Sequence, residues 1–415
     1  MGLKTINKNH LKFGFWLPDS RAPKALNKVS MTGAKIAMSS LKELLYKKSD
    51  RIIKSVIAVS IACTFSTSSF AQGPIFPVPT WQSDTPENHG FDSNLLQNTS
   101  SYAESINSDS LLIIRDGYIV WEEYWNGLAA NDPQKNIWSV TKSFTAAVVG
   151  ITQNKGFLSI DDKASDYISQ WQGTASDPVT VRQLLANDSG RYYSTFGDLW
   201  HFRKENSVGK SDMTGHAINR SQQHPPGTVW RYNGLAIQCL DRVVSVATNE
   251  DTASFATNEL VNPLGMINTT VFTDNSGQMI MPSHLRTTSR DMARLGYLFL
   301  NGGNWNGQQI LSQNFVTEAT SPGSSLNAAY GFLWWLNTGP NDTWRHPAIN
   351  NHAAKTGVIF PDAPADLYAA SGNNGQVVIV SPSENLIIVR QGHQRINGPE
   401  IINNMYREVA DAMTH

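Results

Sequence analysis

An α+β fold is predicted by two features of the 415-residue sequence: strand-like runs lie near both ends of its globular part, and helical periodicities fill the stretch between them. A sheet assembled from both chain ends then carries a mostly helical lobe inserted at about residues 158–275. The chain shows no internal repeat and no low-complexity tract.

After a Pro-rich lead from Gly73 to Pro86, read as extended, the apolar runs Ser110–Ile114 and Tyr118–Trp125 flank Arg115-Asp116-Gly117. Asp-Gly between β-branched and aromatic runs is a tight-turn signal, so the segment reads as a hairpin. From Ser139 to Lys155 the apolar positions Val140, Phe144, Ala147, Val148 and Ile151 follow a helical period that stops at Gly156. Shorter helical patterns cover Val181–Leu185, Met213–Ser221 and Leu235–Ala247. A further helix is expected over Thr288–Asn301, stopped by Gly302-Gly303 and followed by a turn at Trp305-Asn306-Gly307. The last third returns to strands, Tyr330–Leu336, Tyr368–Ser371, Gln376–Ser381 and Leu386–Gln391, and a helix over Ile401–Met413 closes the chain.

The N-terminus reads as processing sequence rather than fold. Lys47, Lys48, Arg51 and Lys54 precede an apolar run from Ser55 to Phe65, and small residues stand at Ser69 and Ala71. That is the three-part pattern of a secretory signal over 47–71, with cleavage expected after Ala71; the run is too short for a comfortable membrane span. Residues 1–46 form a leader extension outside the folded unit, with Met31 and Met38 as alternative starts, and 72–415 form one catalytic domain. Export to the periplasm or the medium is the expected outcome, without stable membrane insertion after signal removal. Cys63 falls inside the signal, so the mature chain keeps Cys239 alone and has no internal disulfide. Lipid attachment at Cys63 is the lesser reading, because Ser60 stands where such signals usually carry an aliphatic residue. A formal net charge of −1 argues against nucleic acid, which leaves a small molecule as the expected partner.

The chemistry centres on Ser139-Val140-Thr141-Lys142. Residues three apart on a helix share a face, so the Lys142 amine reaches the Ser139 hydroxyl. A serine needs such a base, and it needs donors for the oxyanion formed when it attacks a carbonyl; a helix N-terminus helps with both. Ser-x-x-Lys also occurs at Ser39/Lys42 and Ser207/Lys210, so spacing alone decides nothing. Ser139 differs in following a strand pair and opening a strongly periodic helix.

A second segment, Pro225-Pro226-Gly227-Thr228-Val229-Trp230-Arg231-Tyr232-Asn233-Gly234, completes a pattern. With Ser139 and Lys142 it resembles the serine β-lactamase-like superfamily: class C β-lactamases, family VIII esterases and 6-aminohexanoate-dimer hydrolases. Thr180 to Gly190 and Thr288 to Gly307 extend the likeness, with Asn187 and Asp188 replacing the His-Thr of a His-Thr-Ser-Gly segment. The resemblance implies a β-lactamase/transpeptidase-like fold, Ser139 as nucleophile, Lys142 and Tyr232 as its proton-handling partners, an acyl-enzyme intermediate, and no metal or organic cofactor. Either Lys142 or Tyr232 is the primary base. A tyrosine serves as a relay if a neighbouring cation favours its phenolate, which Lys142 is placed to do. Gly234 stands where relatives carry Asn or Ser, so a side-chain substrate contact is missing.

Relatives also carry Lys-Thr-Gly or His-Thr-Gly on a strand lining the cleft. Lys355-Thr356-Gly357 has the letters, but the residues after it do not continue as a hairpin. Tyr368 to Gln376 does, which puts Ala370-Ser371-Gly372 at that position and the Asn373 backbone N–H beside that of Ser139 as the oxyanion hole. Ser371 and Gly372 become substrate contacts, and the usual cation is absent. Penicillins and peptidyl-D-alanine carry a carboxylate for that cation, so esters or amides with neutral or basic ends are expected instead. Tyr192, Tyr193, Trp200 and Trp334 are candidates for an aromatic cleft wall. There is no Gly-x-Ser-x-Gly elbow, and His346 and His352 lack a third ligand and read as solvent-exposed or packed histidines. The rival readings are a catalytically silent envelope binding protein on the same fold, and a weak β-lactamase or D-Ala-D-Ala carboxypeptidase.

Overall fold

The computed structural model describes residues 74–130, 134–193, 212–349, 352–393 and 398–414. The leader extension, the signal segment and Trp200 lie outside them. Seven strands form the central sheet: β1 (Gln82–Ser83), β2 (Ser108–Arg115), β3 (Tyr118–Tyr124), β4 (Trp335–Leu336), β5 (Tyr368–Gly372), β6 (Gln376–Ser381) and β7 (Leu386–Gly392). Their order is β1-β3-β2-β7-β6-β5-β4, antiparallel throughout except for the β1–β3 pair. The N-terminal hairpin and the C-terminal strands therefore meet at β2–β7, as a sheet built from both ends requires.

The β2–β3 turn has φ +55° at Asp116 and +88° at Gly117, the left-handed pair that a two-residue hairpin demands. In β6 and β7 every residue is buried, so their continuous Val/Ile runs are covered on both faces rather than alternating. The longer helices are α1 (Ser93–Ser105), α2 (Thr141–Asn154), α3 (Gly234–Thr248), α4 (Ser289–Leu300) and α5 (Gly398–Ala410). Helices α1 and α5 pack on each other and on the sheet. Helix α4 packs on β6 and β7 at close range: a Cβ at Gly296 would stand 2.9 Å from Val378 Cγ1. Between α2 and α4 the described residues are mostly helical and loop, including α3 and the short helices Val181–Ala186 and Met213–Ile218, as the inserted lobe predicts. No helix among the described residues is long and apolar enough to cross a membrane.

Two expectations need correction. Of the strand expected over Tyr330–Leu336, only Trp335–Leu336 pairs, because Leu333 sits at φ +63° and Gly331 N–H turns back to the Trp334 carbonyl. The lead to Pro86 contributes only β1 and enters a short 3-10 turn at Pro86–His89.

Arg390, in the middle of the sheet, is fully buried. Its guanidinium donates to Ser108 Oγ (2.6 Å) and to the carbonyls of Ile106 (2.7 Å), Gly375 (2.7 Å) and Asn374 (3.3 Å), tying β2 to the turn after β5. Burial pulls its pKa down to about 10. Arg390→Met leaves these acceptors unpaired, and we expect it to cost about 3 kcal/mol, read as a lower urea midpoint with unchanged slope.

Candidate active site

Ser139 is presented by a locally strained backbone. Asn136 Oδ1 accepts the Trp138 N–H (2.8 Å), and Trp138 sits at φ +50°, a conformation costly for a bulky residue. The chain then enters a 3-10 turn, Trp138–Val140, that runs directly into α2. Ser139 thus lies in this turn, two residues before the α-helix itself. It is half-buried, whereas Lys142, one turn on, is 5% exposed.

Lys142 Nζ donates to Ser139 Oγ and to the Pro282 carbonyl, both at 2.8 Å. The segment bearing Pro282 is clamped to α2: Thr145 Oγ1 donates to the Met281 carbonyl (2.7 Å), and Leu285 N–H donates to Thr141 Oγ1 (3.2 Å). Burial alone lowers the Lys142 pKa to about 7, with no charged neighbour contributing. The amine is therefore substantially neutral near physiological pH.

Tyr232 precedes α3, whose N-cap is Asn233; the Asn233 side chain accepts from the N–H groups of Leu235 and Ala236. The Tyr232 hydroxyl is hydrogen-bonded by Ser139, and Lys142 Nζ lies 4.7 Å from the centre of its ring. Serine, lysine and tyrosine thus converge. One expectation is corrected: Lys142 does not draw Tyr232 toward phenolate. Burial drives the phenol pKa well above its ordinary value, and the Ser139 hydrogen bond offsets only part of that. Tyr232 stays protonated, and Lys142 is the group poised to exchange a proton at neutral pH.

Strand β5 reaches the same point from the sheet. A Cβ at Gly372 would lie 2.3 Å from the Ile137 carbonyl oxygen and 3.2 Å from the backbone nitrogens of Ser139 and Val140. Only glycine lets the strand end approach so closely, and Asn373 follows immediately, in the turn that Arg390 holds. Ser371 is half-buried beside it. Lys355-Thr356 pairs instead with Thr343-Trp344 in a separate two-stranded ribbon, and Lys355 is exposed.

Of the aromatic candidates, Trp334 is not a cleft residue. It is fully buried and packs on Phe299 (4.8 Å) and Tyr368 (5.3 Å), because the turn at Leu333 sends it into the core. Its neighbour Trp335, also buried, stacks on Tyr232 at 5.7 Å instead. Tyr192 is half-buried with Arg220 over its ring, and Tyr193 meets His352 edge-on at 5.3 Å. His346 and His352 are packed, not solvent-exposed: His352 Nε2 accepts the Tyr232 backbone N–H (3.3 Å), and His346 lies on Trp335 at 4.4 Å. Burial and His352 pull the His346 pKa down to about 3, keeping it neutral. Neither Trp335 nor His352 carried a motif that would have singled it out. Among the described residues no group of three or more His, Cys, Asp or Glu side chains is placed to hold a metal ion.

The family model described as Beta-lactamase matches residues 95–409, more than half of the chain, and spans Ser139, Lys142 and Tyr232. The chain belongs to the beta-lactamase family. An uncharacterised protein of Alkalihalophilus pseudofirmus is 24% identical over 337 residues, covering 72% of this chain and 88% of its own length. Beta-lactamase-like protein 2 of Dictyostelium discoideum is 26% identical over 52% of this chain and 45% of its own length. Among solved structures, a candidate 6-aminohexanoate-dimer hydrolase from Bacillus anthracis superposes with a TM-score of 0.63 at 20% identity, over 81% of this chain and 88% of that one. A penicillin-binding protein from Bacillus halodurans superposes at 0.54 and 16% identity, over 74% of this chain and 98% of that one. The fold of this beta-lactamase-family chain is therefore the β-lactamase/transpeptidase-like α+β fold, with its sheet drawn from both chain ends.

Proposed function

We propose that this beta-lactamase-family hydrolase cleaves a small ester or amide through an acyl-enzyme on Ser139. The observation that carries the reading is the buried Lys142 amine, held at 2.8 Å from the Ser139 hydroxyl with its pKa brought to about 7 by burial alone. Ser139 Oγ attacks the carbonyl carbon while its proton passes to Lys142. The backbone N–H groups of Ser139 and Asn373 receive the oxyanion. Tyr232, a neutral phenol bonded to Ser139, hands a proton to the departing alcohol or amine and regains one through Lys142. Water then attacks the acyl-enzyme along the reverse route. None of these steps calls on a metal or organic cofactor.

Export through the 47–71 signal, with the mature chain starting near Gln72, belongs to the same proposal; the mass of the secreted protein tests it. The nucleophile is tested by intact mass after treatment with a fluorophosphonate, beside turnover of p-nitrophenyl butyrate. One adduct and turnover, both lost in Ser139→Ala, are the expected result. A folded wild-type protein that neither labels nor turns over ester sinks the proposal in favour of a silent binding protein on this fold.

A further inference from the structure

The carbonyl that receives the Lys142 amine belongs to Pro282, and a proline has no N–H with which to anchor itself. Its place is inherited from the residues before it. Gln238, fully buried on α3, grips that stretch at two points. Its Nε2 donates to the Met279 carbonyl (2.8 Å), and its Oε1 accepts the Met281 N–H (3.1 Å). Met279 is bridged to Thr273 as in a strand, and residues two apart in an extended chain turn the same backbone edge to a neighbour, so one amide spans both. The other Nε2 hydrogen goes to Thr214 Oγ1 (3.0 Å), whose own hydrogen goes to Asp241 Oδ2 (2.9 Å). An ionised carboxylate only accepts, so Thr214 must donate to Asp241 and accept from Gln238, which fixes the orientation of the amide. Asp241, one turn further along α3, also takes the Met279 N–H on Oδ1 (3.1 Å).

Helix α3 therefore meets the reaction twice: Tyr232 precedes its N-cap, and Gln238 holds the stretch that ends in the acceptor of Lys142. A neutral amine has two N–H groups and one lone pair. With one N–H kept on the Pro282 carbonyl, the lone pair is steered to the Ser139 hydroxyl, 2.8 Å away. A carbonyl that drifted from this place would let the amine rotate and let water reach it, and the burial that disfavours its charged form would be lost. The groups that meet the amine are the Ser139 hydroxyl, the Pro282 carbonyl and the Tyr232 ring, and none of them is charged.

Resting on the acyl-enzyme reading above, we infer that Gln238 is a positioning residue for the base: by gripping Met279 and Met281 it fixes the Pro282 carbonyl, which aims the Lys142 lone pair at Ser139. One helix thus sets both proton-handling groups against the nucleophile.

Gln238→Met keeps the length of the side chain and removes its hydrogen bonds. It is expected to lower kcat for p-nitrophenyl butyrate about tenfold with KM little changed, and to move the acid limb of kcat/KM up by about half a pH unit. The Lys142 titration is followed without turnover by NMR of isotope-labelled lysine Cε, its signal assigned by its loss in Lys142→Arg, and is expected to move up with the limb. Gln238→Asn, whose amide is one methylene short of spanning both residues, gives the same reading if the methionine variant does not fold. Thr99→Val removes a buried bond from α1 to the Glu408 carbonyl of α5 (2.7 Å), and is expected to lower the urea midpoint while leaving the limb and the Lys142 titration in place. A Lys142 titration that keeps its wild-type midpoint in the folded Gln238 variants overturns the assignment and leaves the hydrolase intact, and so does an unchanged kcat. A titration that moves while neither wild type nor variant hydrolyses the ester upholds the hold of Gln238 on Lys142 and overturns the hydrolase.

Discussion

Lys142→Arg is expected to lower kcat/KM for a p-nitrophenyl ester by on the order of 10³-fold, and to remove the acid limb of the pH profile. Arginine keeps a positive charge but cannot accept a proton at any working pH. On the proposed mechanism the base is the neutral Lys142 amine, whose pKa is about 7. The rate should therefore fall about tenfold per pH unit below that value and level off above it. Tyr232 adds no limb in this range, since its pKa is driven upward. An acid limb near pH 7 that survives in Lys142→Arg would assign the titration to another group and sink Lys142 as base.

The same burial has a consequence for stability, with a definite sign. The folded-state pKa lies below the ordinary value of 10.5, so the unfolded chain binds the extra proton between about 7 and 10.5. The destabilisation is complete below about 7 and fades as pH rises toward the ordinary amine range. Lys142→Met, similar in length and uncharged, should therefore raise the urea midpoint, and by more at pH 7 than at pH 10. An amine kept because its hydrogen bonds to Ser139 and Pro282 hold the fold together would show the opposite sign.

The legible parts of this protein are those whose physics is local. The Asp116-Gly117 turn, the period from Val140 to Ile151 and the β-branched runs of β6 and β7 are written in consecutive residues, so the hairpin, α2 and the C-terminal strands follow from them. Ser139 and Lys142 share one helical turn, and their contact follows from spacing. Tyr232 is marked in the sequence only by its Pro-Gly-Thr neighbourhood. What the sequence leaves hidden is long-range or rests on a single dihedral. The φ of +63° at Leu333 puts Trp334 against Phe299 and Tyr368 and Trp335 against Tyr232, and nothing in Gly331-Phe332-Leu333-Trp334 announces it. The His352 contact to Tyr232 spans 120 residues. The upward shift of the Tyr232 pKa is hidden for a related reason: it comes from burial by residues distant in sequence.

Gly372→Ala is expected to lower kcat by about 10²–10³-fold, the cost of losing one oxyanion donor, with KM changed far less. The added methyl would stand 2.3 Å from the Ile137 carbonyl oxygen, a distance no Cβ tolerates. That oxygen belongs to the backbone, so the collision cannot be relieved by rotating a side chain. Either the end of β5 moves away from the turn that carries Ser139, or that turn, already strained at Trp138, moves away from the strand. Both would separate the Asn373 N–H from the Ser139 N–H while leaving Lys142 and Tyr232 in contact with Ser139. Because an oxyanion exists only after attack, ground-state binding survives and the loss falls on kcat. Fluorophosphonate labelling, which also builds negative charge on oxygen, should slow in parallel. A Gly372→Ala enzyme with unchanged kcat and a raised KM would mean that β5 serves substrate binding alone, and the oxyanion site would have to be sought elsewhere along the cleft.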